Sequence, residues 1–594
     1  MTSDPITTTY GHYNARSVDP RVVAEHFVAP PQFWEIVPES NTVLSGPRGS
    51  GKTTLLKMLE ATALERWENL QAPRAREAVT YSGVFVPADR SWAGQVDSVY
   101  ERFDPELRTA LGLACFSLHM LRGLTACAAM RIVPSKAEHP HDRVSMERDL
   151  EERIVRETWE NWGLNEPVGT FTGLRFALSD LLLDLGKCSL RARREPEAVA
   201  QLKCHAALDL KPVEAMIPFI ERFNHAVGQE AHVWMFLVDE IEFLPPVIRS
   251  DILGLMRAHD PRIMQKCSLA PYTSISSEDE SLGAWVGHDY QPVDLTFPDK
   301  EKGYDFNEEL VRGVLARKCI DLTPEDLLGG RGEFESDRTE AYAPGTTNAA
   351  HIQSLAEKDR SFREWLCEHG LDAGAPGVSS ETERAATLRK AMPIIRLRDE
   401  FLRVEDGVLR RRSRKQPRTY VGALSAYAIC EGNPRLLIAL VERLVRLHLS
   451  KELDDAHRAD SIDSAAREYE RHLRALAIPA SLPLGLLPRN LVDRIGKHFE
   501  EQVLAAEFDP EPALSFEVDR EDLTRLGLKD VLMQLVHYGA FVPISDQRFR
   551  LAHMFAPNFH LPLRRGRPHA LRSILGPSGD SRQLSIDATE EESA

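Results

Sequence analysis

Six apolar residues in a row, Val233 to Val238, run between His232 and the acidic pair Asp239-Glu240. An unbroken apolar run predicts a strand buried on both faces of a parallel sheet. Thr42-Val43-Leu44 predicts a second short strand, and Leu55, Leu56, Met58 and Leu59 predict an amphipathic helix behind it. Tyr81 to Val86 predicts another strand, Val247 to Ala258 a helix, and Cys267 to Tyr272 a further strand that ends in Thr273 and Ser274. Strands alternating with helices imply an α/β fold around a parallel sheet. Residues 95–227 interrupt that alternation. There Met146 to Trp162, Leu174 to Leu185 and Val213 to Val227 carry apolar residues at three- and four-residue spacing, with no phosphate or metal motif. This stretch is expected to be a helical insertion that offers a specificity or partner surface.

Beyond residue 300 the pattern changes. Residues 323–380 are rich in Gly, Pro, Asp and Glu and predict loops around one short helix, Asp359 to His369. Thr382 to Arg403 predicts a long helix. Near the end, Leu487 to Ala505 and Leu528 to Tyr538 predict helices and Ala513 to Val518 alternates like a strand. Gly539 to Ile544 and Phe549 to Ala552 predict a hairpin around Ser545-Asp546-Gln547. Helices followed by such a hairpin suggest a winged helix.

Composition narrows the class. A length of 594 residues points to roughly three to five domains. Apolar residues make up 43% of the chain, enough for a packed core. The formal charge of −17 argues against nucleic-acid binding by the whole surface, although not by one basic face. Six basic residues, Arg410, Arg411, Arg412, Arg414, Lys415 and Arg418, form one cluster, and Arg564, Arg565, Arg567, His569 and Arg572 form another. The first could grip a phosphate backbone or another subunit, and the second, at the end of a winged helix, could serve DNA binding or protein docking. The eight cysteines contain no C-x-x-C pair, so neither a zinc site nor a disulfide framework is indicated, and a reducing cytoplasm fits best. Met1 to Asn14 is polar and lacks the apolar segment of a signal peptide. The most apolar helical stretch, Ala110 to Ile132, holds His119, Arg122 and Arg131 and reads as a buried helix, so no membrane association is expected.

The most specific chemistry lies between the first strand and its helix. Gly46-Pro47-Arg48-Gly49-Ser50-Gly51-Lys52-Thr53-Thr54 matches G-x-x-x-x-G-K-[ST] from Gly46 to Thr53, the phosphate-binding P-loop. The glycines let successive N–H groups point inward, and the following helix adds the positive end of its dipole. Lys52 would reach the β- and γ-phosphates, and Thr53 would ligate Mg²⁺. Asp239 and Glu240 end a buried strand, where ligands bind in open α/β sheets. Asp239 would hold Mg²⁺ through water, and Glu240 would orient or deprotonate the attacking water, the Walker B arrangement.

The order of P-loop, helical excursion, Asp239-Glu240 and a Ser/Thr-tipped strand resembles AAA+ ATPases. Ile429-Cys-Glu-Gly432-Asn433-Pro434-Arg435 looks like the second-sensor helix of origin-recognition-like initiator ATPases and the related STAND ATPases. The resemblance implies ATP and Mg²⁺ as cofactors, Thr273 as sensor residue with Ser274 as alternative, and Arg435 as a contact to nucleotide from a helical lid domain. It also places the segment with Phe27, Phe33 and Trp34 near the nucleotide base, although packing onto the sheet explains those aromatics as well. Such ATPases usually carry an arginine finger after the sensor strand, yet Cys267 to Asp299 contains neither Arg nor Lys. Arg257 and Arg262 are nearby alternatives that precede that strand.

The expected organisation is a polar arm over 1–19 and an AAA+-like core over 20–300, with its helical insertion at about 95–227. A helical lid over 301–480, a winged-helix-like domain over 481–575 and a polar tail over 576–594 complete it. The expected function is an ATP-hydrolysing module acting on DNA, in a mobile-element or antiphage defence setting, as a homo-oligomer or with a partner protein. A STAND-like switch that oligomerises on ATP and recruits an effector without DNA is the alternative, favoured by the missing finger. A small-molecule kinase would leave the Gly432–Arg435 motif unexplained.

Overall fold

The computed structural model describes residues 18–88, 103–133, 143–165, 168–244, 246–257, 260–271, 287–295, 300–332, 342–343, 345–371, 381–406, 408–412, 418–474, 487–504, 507–519, 528–545 and 547–575. It divides into two compact units. One comprises Asn14–Gly46 and Gly51–Leu295; the other comprises Thr296–Ala594 together with Met1–Tyr13 and the loop tip Pro47–Ser50.

The first unit is built on a five-stranded sheet of β1 (Thr42–Ser45), β2 (Ser82–Pro87), β3 (Trp234–Asp239), β4 (Ile263–Leu269) and β5 (Gln291–Asp294). Every pairing is parallel and the order is β2-β3-β4-β1-β5. β3 is buried at all six positions, as its apolar run requires. β1 and β2 match their sequence signals to within a residue. β4 does not: it begins at Ile263, four residues before the expected start. Its polar positions hide it, because Gln265 Nε2 donates to Ile252 O (2.8 Å) and Lys266 Nζ donates to Pro38 O and Ser40 O (2.8 and 2.7 Å). Buried polar groups tied up this way behave as core. Burial also pushes the Lys266 amine down to about 7.

Helix α1 (Lys52–Lys57) follows the loop after β1. The insertion is helical, with α2 (Pro105–Arg131), α3 (Arg148–Trp159), α4 (Phe171–Arg194) and α5 (Pro212–Ala226). The Asp104 carboxylate accepts Leu107 N–H (2.9 Å) at the start of α2, and Pro105 takes the first helical position. By length and composition alone α2 could cross a membrane, but most of its apolar stretch is buried in this unit. Gly123 lets it approach β2, because a Cβ there would lie 3.0 Å from Val84 Cγ1. Trp162, Phe171, Phe219, Phe223 and Trp234 form the aromatic centre that joins the insertion to β3. Val247 to Ala258 becomes helix α6 (Pro246–Gly254) followed by a 3₁₀ turn, Leu255–Arg257. Phe27 and Phe33 pack edge-on against Trp67, and the Arg74 guanidinium stacks over Trp34 at 4.1 Å.

The second unit contains α7 (Lys300–Arg317), α8 (Glu381–Phe401), α9 (Ala423–Cys430), α10 (Pro434–Leu449), α11 (Asp455–Arg474), α12 (Pro488–Leu504) and α13 (Leu528–His537), with shorter helices between them. A two-stranded hairpin, β6 (Leu402–Glu405) with β7 (Val408–Arg411), follows α8. Near the chain end a four-stranded sheet runs β9-β10-β8-β11, from β8 (Ala513–Glu517), β9 (Phe541–Ser545), β10 (Arg548–Leu551) and β11 (Arg567–Ala570). β9 and β10 are the antiparallel hairpin, while β11, a strand without a signal in the sequence, adds in parallel to β8.

Residues 301–480 and 481–575, which composition separates, share this one unit. Buried bonds cross the expected boundary. The Tyr420 hydroxyl meets Leu561 O (2.7 Å) and Ala556 O (3.0 Å). Arg398, buried, pairs with Asp359 (2.7 Å) and donates to Val503 O (2.9 Å).

Candidate nucleotide site

The carboxyl ends of β1 and β3 carry the chemistry. Gly51 adopts φ +94° at the start of α1, and Lys52 and Thr53 occupy the first positions of that helix. Lys52 is buried, and its ammonium donates to Gly46 O. Thr53 Oγ1 donates to Asp239 Oδ2 at 2.7 Å, so P-loop and β3 converge on one point although 186 residues separate them. A hydroxyl and a carboxylate that meet at a helix N-terminus form an oxygen donor set suited to Mg²⁺. The residues present fit that ion, and Thr53 and Asp239 could hold it.

Asp239 has a second partner. Ser268 Oγ donates to Asp239 Oδ1 (2.6 Å) and accepts the Glu240 N–H (2.7 Å). Glu240 stands in the left-handed region, φ 60° and ψ 46°, unusual for a side chain that is neither Gly nor Asn. Such backbone strain persists where the surroundings hold it, and it clusters at functional sites. Here Ser268 holds it. Thr273 and Ser274 lie outside the described residues; on the described part of β4, Ser268 bonds Asp239.

Glu242, two residues on, is buried in the 3₁₀ turn Ile241–Phe243 region, and burial raises its carboxyl to about 7 against the opposing pull of Lys52. Sequence inspection assigned it no role. Of the alternative fingers, Arg257 bonds Asp289 (2.7 Å) and Arg262 bonds Asp260 (2.6 Å) and Glu221 (2.9 Å).

In the second unit, Gly432–Arg435 meets the loop tip. Asn433 caps α10 by accepting from Arg435 N and Leu436 N, and its Nδ2 donates to Arg48 O at 3.0 Å. Arg48 N in turn donates to His537 O (2.8 Å), and its guanidinium lies over Tyr538. Gly49 has φ +91°, and a Cβ there would lie 2.7 Å from Asn433 Oδ1 and 3.2 Å from Arg435 Cβ. Only glycine fits. Glu431, immediately before the motif, pairs with Arg550 of β10 and accepts His553 N–H at 2.8 Å. Burial raises the Glu431 carboxyl, but Arg550 and His553 outweigh it and hold it below the ordinary value.

The second basic cluster is largely committed to the fold. Arg564 donates to Lys390 O (2.5 Å) and Pro510 O, Arg567 pairs with Asp509, and His569 Nδ1 lies 2.8 Å from His498 Nε2. Arg565 and Arg572 are exposed. In the first cluster Arg410 and Arg418 are exposed, Arg411 pairs with Glu500 (3.1 Å), and Arg414 and Lys415 lie outside the described residues. On α4, Asp184, Cys188 and the nearby His205 come close together. His205 Nδ1 accepts Ala207 N–H, so Nε2 carries the proton that faces Asp184 at 3.2 Å, and the group reads as a helix cap and not as metal ligands.

A parallel sheet in which β1 runs into a P-loop, with a carboxylate from β3, one strand removed, beside the loop threonine, defines a P-loop ATPase-like fold. A family model described as ORC-CDC6-like matches residues 9–571, nearly the whole chain. The chain therefore belongs to the ORC-CDC6-like family, a group of AAA+ ATPases. No curated protein sequence matches it.

Proposed function

We propose that the protein binds and hydrolyses ATP with Mg²⁺ at the β1–β3 site and acts as a nucleotide-gated module on DNA. The observation that carries the ATPase reading is the 2.7 Å bond between Thr53 and Asp239. Lys52 binds the β- and γ-phosphates, and Thr53 and Asp239 hold Mg²⁺. When bound, the ion neutralises charge on the phosphate oxygens. Glu240 orients the attacking water and accepts its proton. Ser268 keeps Asp239 and the strained Glu240 backbone in place. Arg435 and Asn433 sense the state of the P-loop tip, and Glu431 passes that state to β10 through Arg550 and His553.

The DNA reading rests on family membership, on the winged-helix-like order of α12, β8, α13, β9 and β10, and on exposed Arg410, Arg418, Arg565 and Arg572. A role in mobile-element or antiphage defence, in the cytoplasm, as a homo-oligomer or with a partner protein, completes the reading. The absence of Arg and Lys from Cys267 to Asp299 supports slow hydrolysis, and with it a STAND-like switch as the second reading.

ATPase turnover measured with and without duplex DNA tests the proposal. Lys52→Ala should abolish ATP binding, and Glu240→Gln should bind ATP without hydrolysing it. Stimulation by DNA, with salt-dependent DNA binding, supports the first reading. Indifference to DNA combined with ATP-driven assembly into a discrete oligomer supports the second. An active Glu240→Gln protein refutes the catalytic assignment.

A further inference from the structure

Helix α4 (Phe171–Arg194) buries one face, with Leu174, Leu178 and Leu185 in the core of the first unit. Its other face carries Phe176, Leu183 and Leu190, exposed by 57%, 57% and 45%. Their seven-residue spacing falls just short of two full turns, so the three lie in one line along the helix. Large apolar side chains scattered singly on a surface need no explanation, but an aligned set marks an interaction site.

Charge beside the stripe says what fits it. Asp180 and Lys187 each follow a stripe residue by four, so both stand on the same side of the line, and both are exposed. The acid comes first along the helix and the base second.

We propose that this face docks, antiparallel, onto the same face of a second copy of the chain. A two-fold axis through Leu183 sets that residue against its own copy and Phe176 against the partner's Leu190. The same operation brings Asp180 level with the partner's Gly186, about 1.5 Å along the helix from the partner's Lys187 and within reach of that side chain, and by symmetry it does so twice. Parallel pairing would carry the partner's charges to the opposite side of the contact and form neither pair. The contact is isologous, so it closes at the dimer. The inference rests on α4 alone and not on the nucleotide reading.

Sedimentation velocity of the full chain without nucleotide tests it, up to about 100 μM, where a dimer of micromolar strength is saturated. A reversible dimer is expected. Leu183→Asp should raise its Kd at least about tenfold, because it sets a charge against its own copy in an apolar contact. Asp180→Lys should raise Kd severalfold, and adding Lys187→Asp should return it to within about twofold of wild type, since each removes or restores both pairs. Circular dichroism checks that each variant is folded, and Lys52→Ala should dimerise as wild type does. A chain that stays monomeric, a dimer indifferent to Leu183→Asp, or a double variant no tighter than Asp180→Lys alone would overturn the proposal. The last outcome would mean that another protein or another face is involved.

Discussion

Ser268 Oγ sits 2.6 Å from Asp239 Oδ1 and accepts the Glu240 N–H at 2.7 Å, so one hydroxyl orients both acidic residues at the end of β3. Its removal leaves the two carboxylates in the sequence but frees their geometry. Ser268→Ala should lower kcat for ATP hydrolysis by about tenfold, the cost of one well-placed hydrogen bond near 1.4 kcal/mol. ATP affinity should change little, because Lys52 and the loop amides are untouched. Steady-state kinetics beside equilibrium nucleotide binding separate the two, and an unchanged kcat would remove Ser268 from the machinery.

Gly49 faces Asn433 and Arg435 with no room for a methyl group. Gly49→Ala combines a backbone at φ +91° with a 2.7 Å overlap on Asn433 Oδ1 and should destabilise the protein by on the order of 1–3 kcal/mol. Asn433→Ala opens the space but leaves the backbone strained. The double variant should therefore lose less than the sum of the two singles, read from urea midpoints.

Glu431 and Arg550 form a largely buried ion pair reinforced by His553. Glu431→Gln leaves the guanidinium without its counter-charge and should cost about 2 kcal/mol. Combining it with Arg550→Met should recover most of that loss, because no charge then remains to be compensated. Recovery is checked by thermal or urea unfolding of the full chain.

Glu60 gives the pH dependence. Burial raises its carboxyl from 4.5 to about 8, with Lys57 opposing and Asp19 adding to the rise. Between those two values the folded chain holds a proton that the unfolded chain has released. Stability from this group is thus fully present below about pH 4.5 and is lost as pH rises through about 8. Glu60→Gln, which keeps the neutral shape, should flatten that decline. At pH 9 it should be more stable than wild type by on the order of a few kcal/mol, and at pH 5 nearly equal to it. Urea titrations at the two pH values decide, and parallel profiles for the two proteins would remove Glu60 as the cause.

Local signals carried much of the first unit. The P-loop is legible because phosphate chemistry demands its residues within one short segment, and β3 is legible because burial on both faces excludes polar residues. The same rule misplaced β4. Gln265 and Lys266 are polar in type yet buried, and only their carbonyl partners at Ile252, Pro38 and Ser40, distant in the chain, make that tolerable. β11 was invisible for a related reason: Arg567-Pro568-His569-Ala570 has no strand pattern and pairs because β8 offers a free edge.

What the sequence alone determined is the chemistry available: a loop for phosphates, a lysine, a threonine, two acids and an α/β order to carry them. Those features are set by residue type at short range. Only the tertiary structure decided that Thr53 and Asp239 meet, that Ser268 joins them, and that Glu431 is tied to Arg550. It also showed that Arg564 and Arg567, read in the sequence as part of a basic cluster, are bound into the fold. Partner choice at such distances depends on how strands and helices pack, and no local pattern in the chain records it.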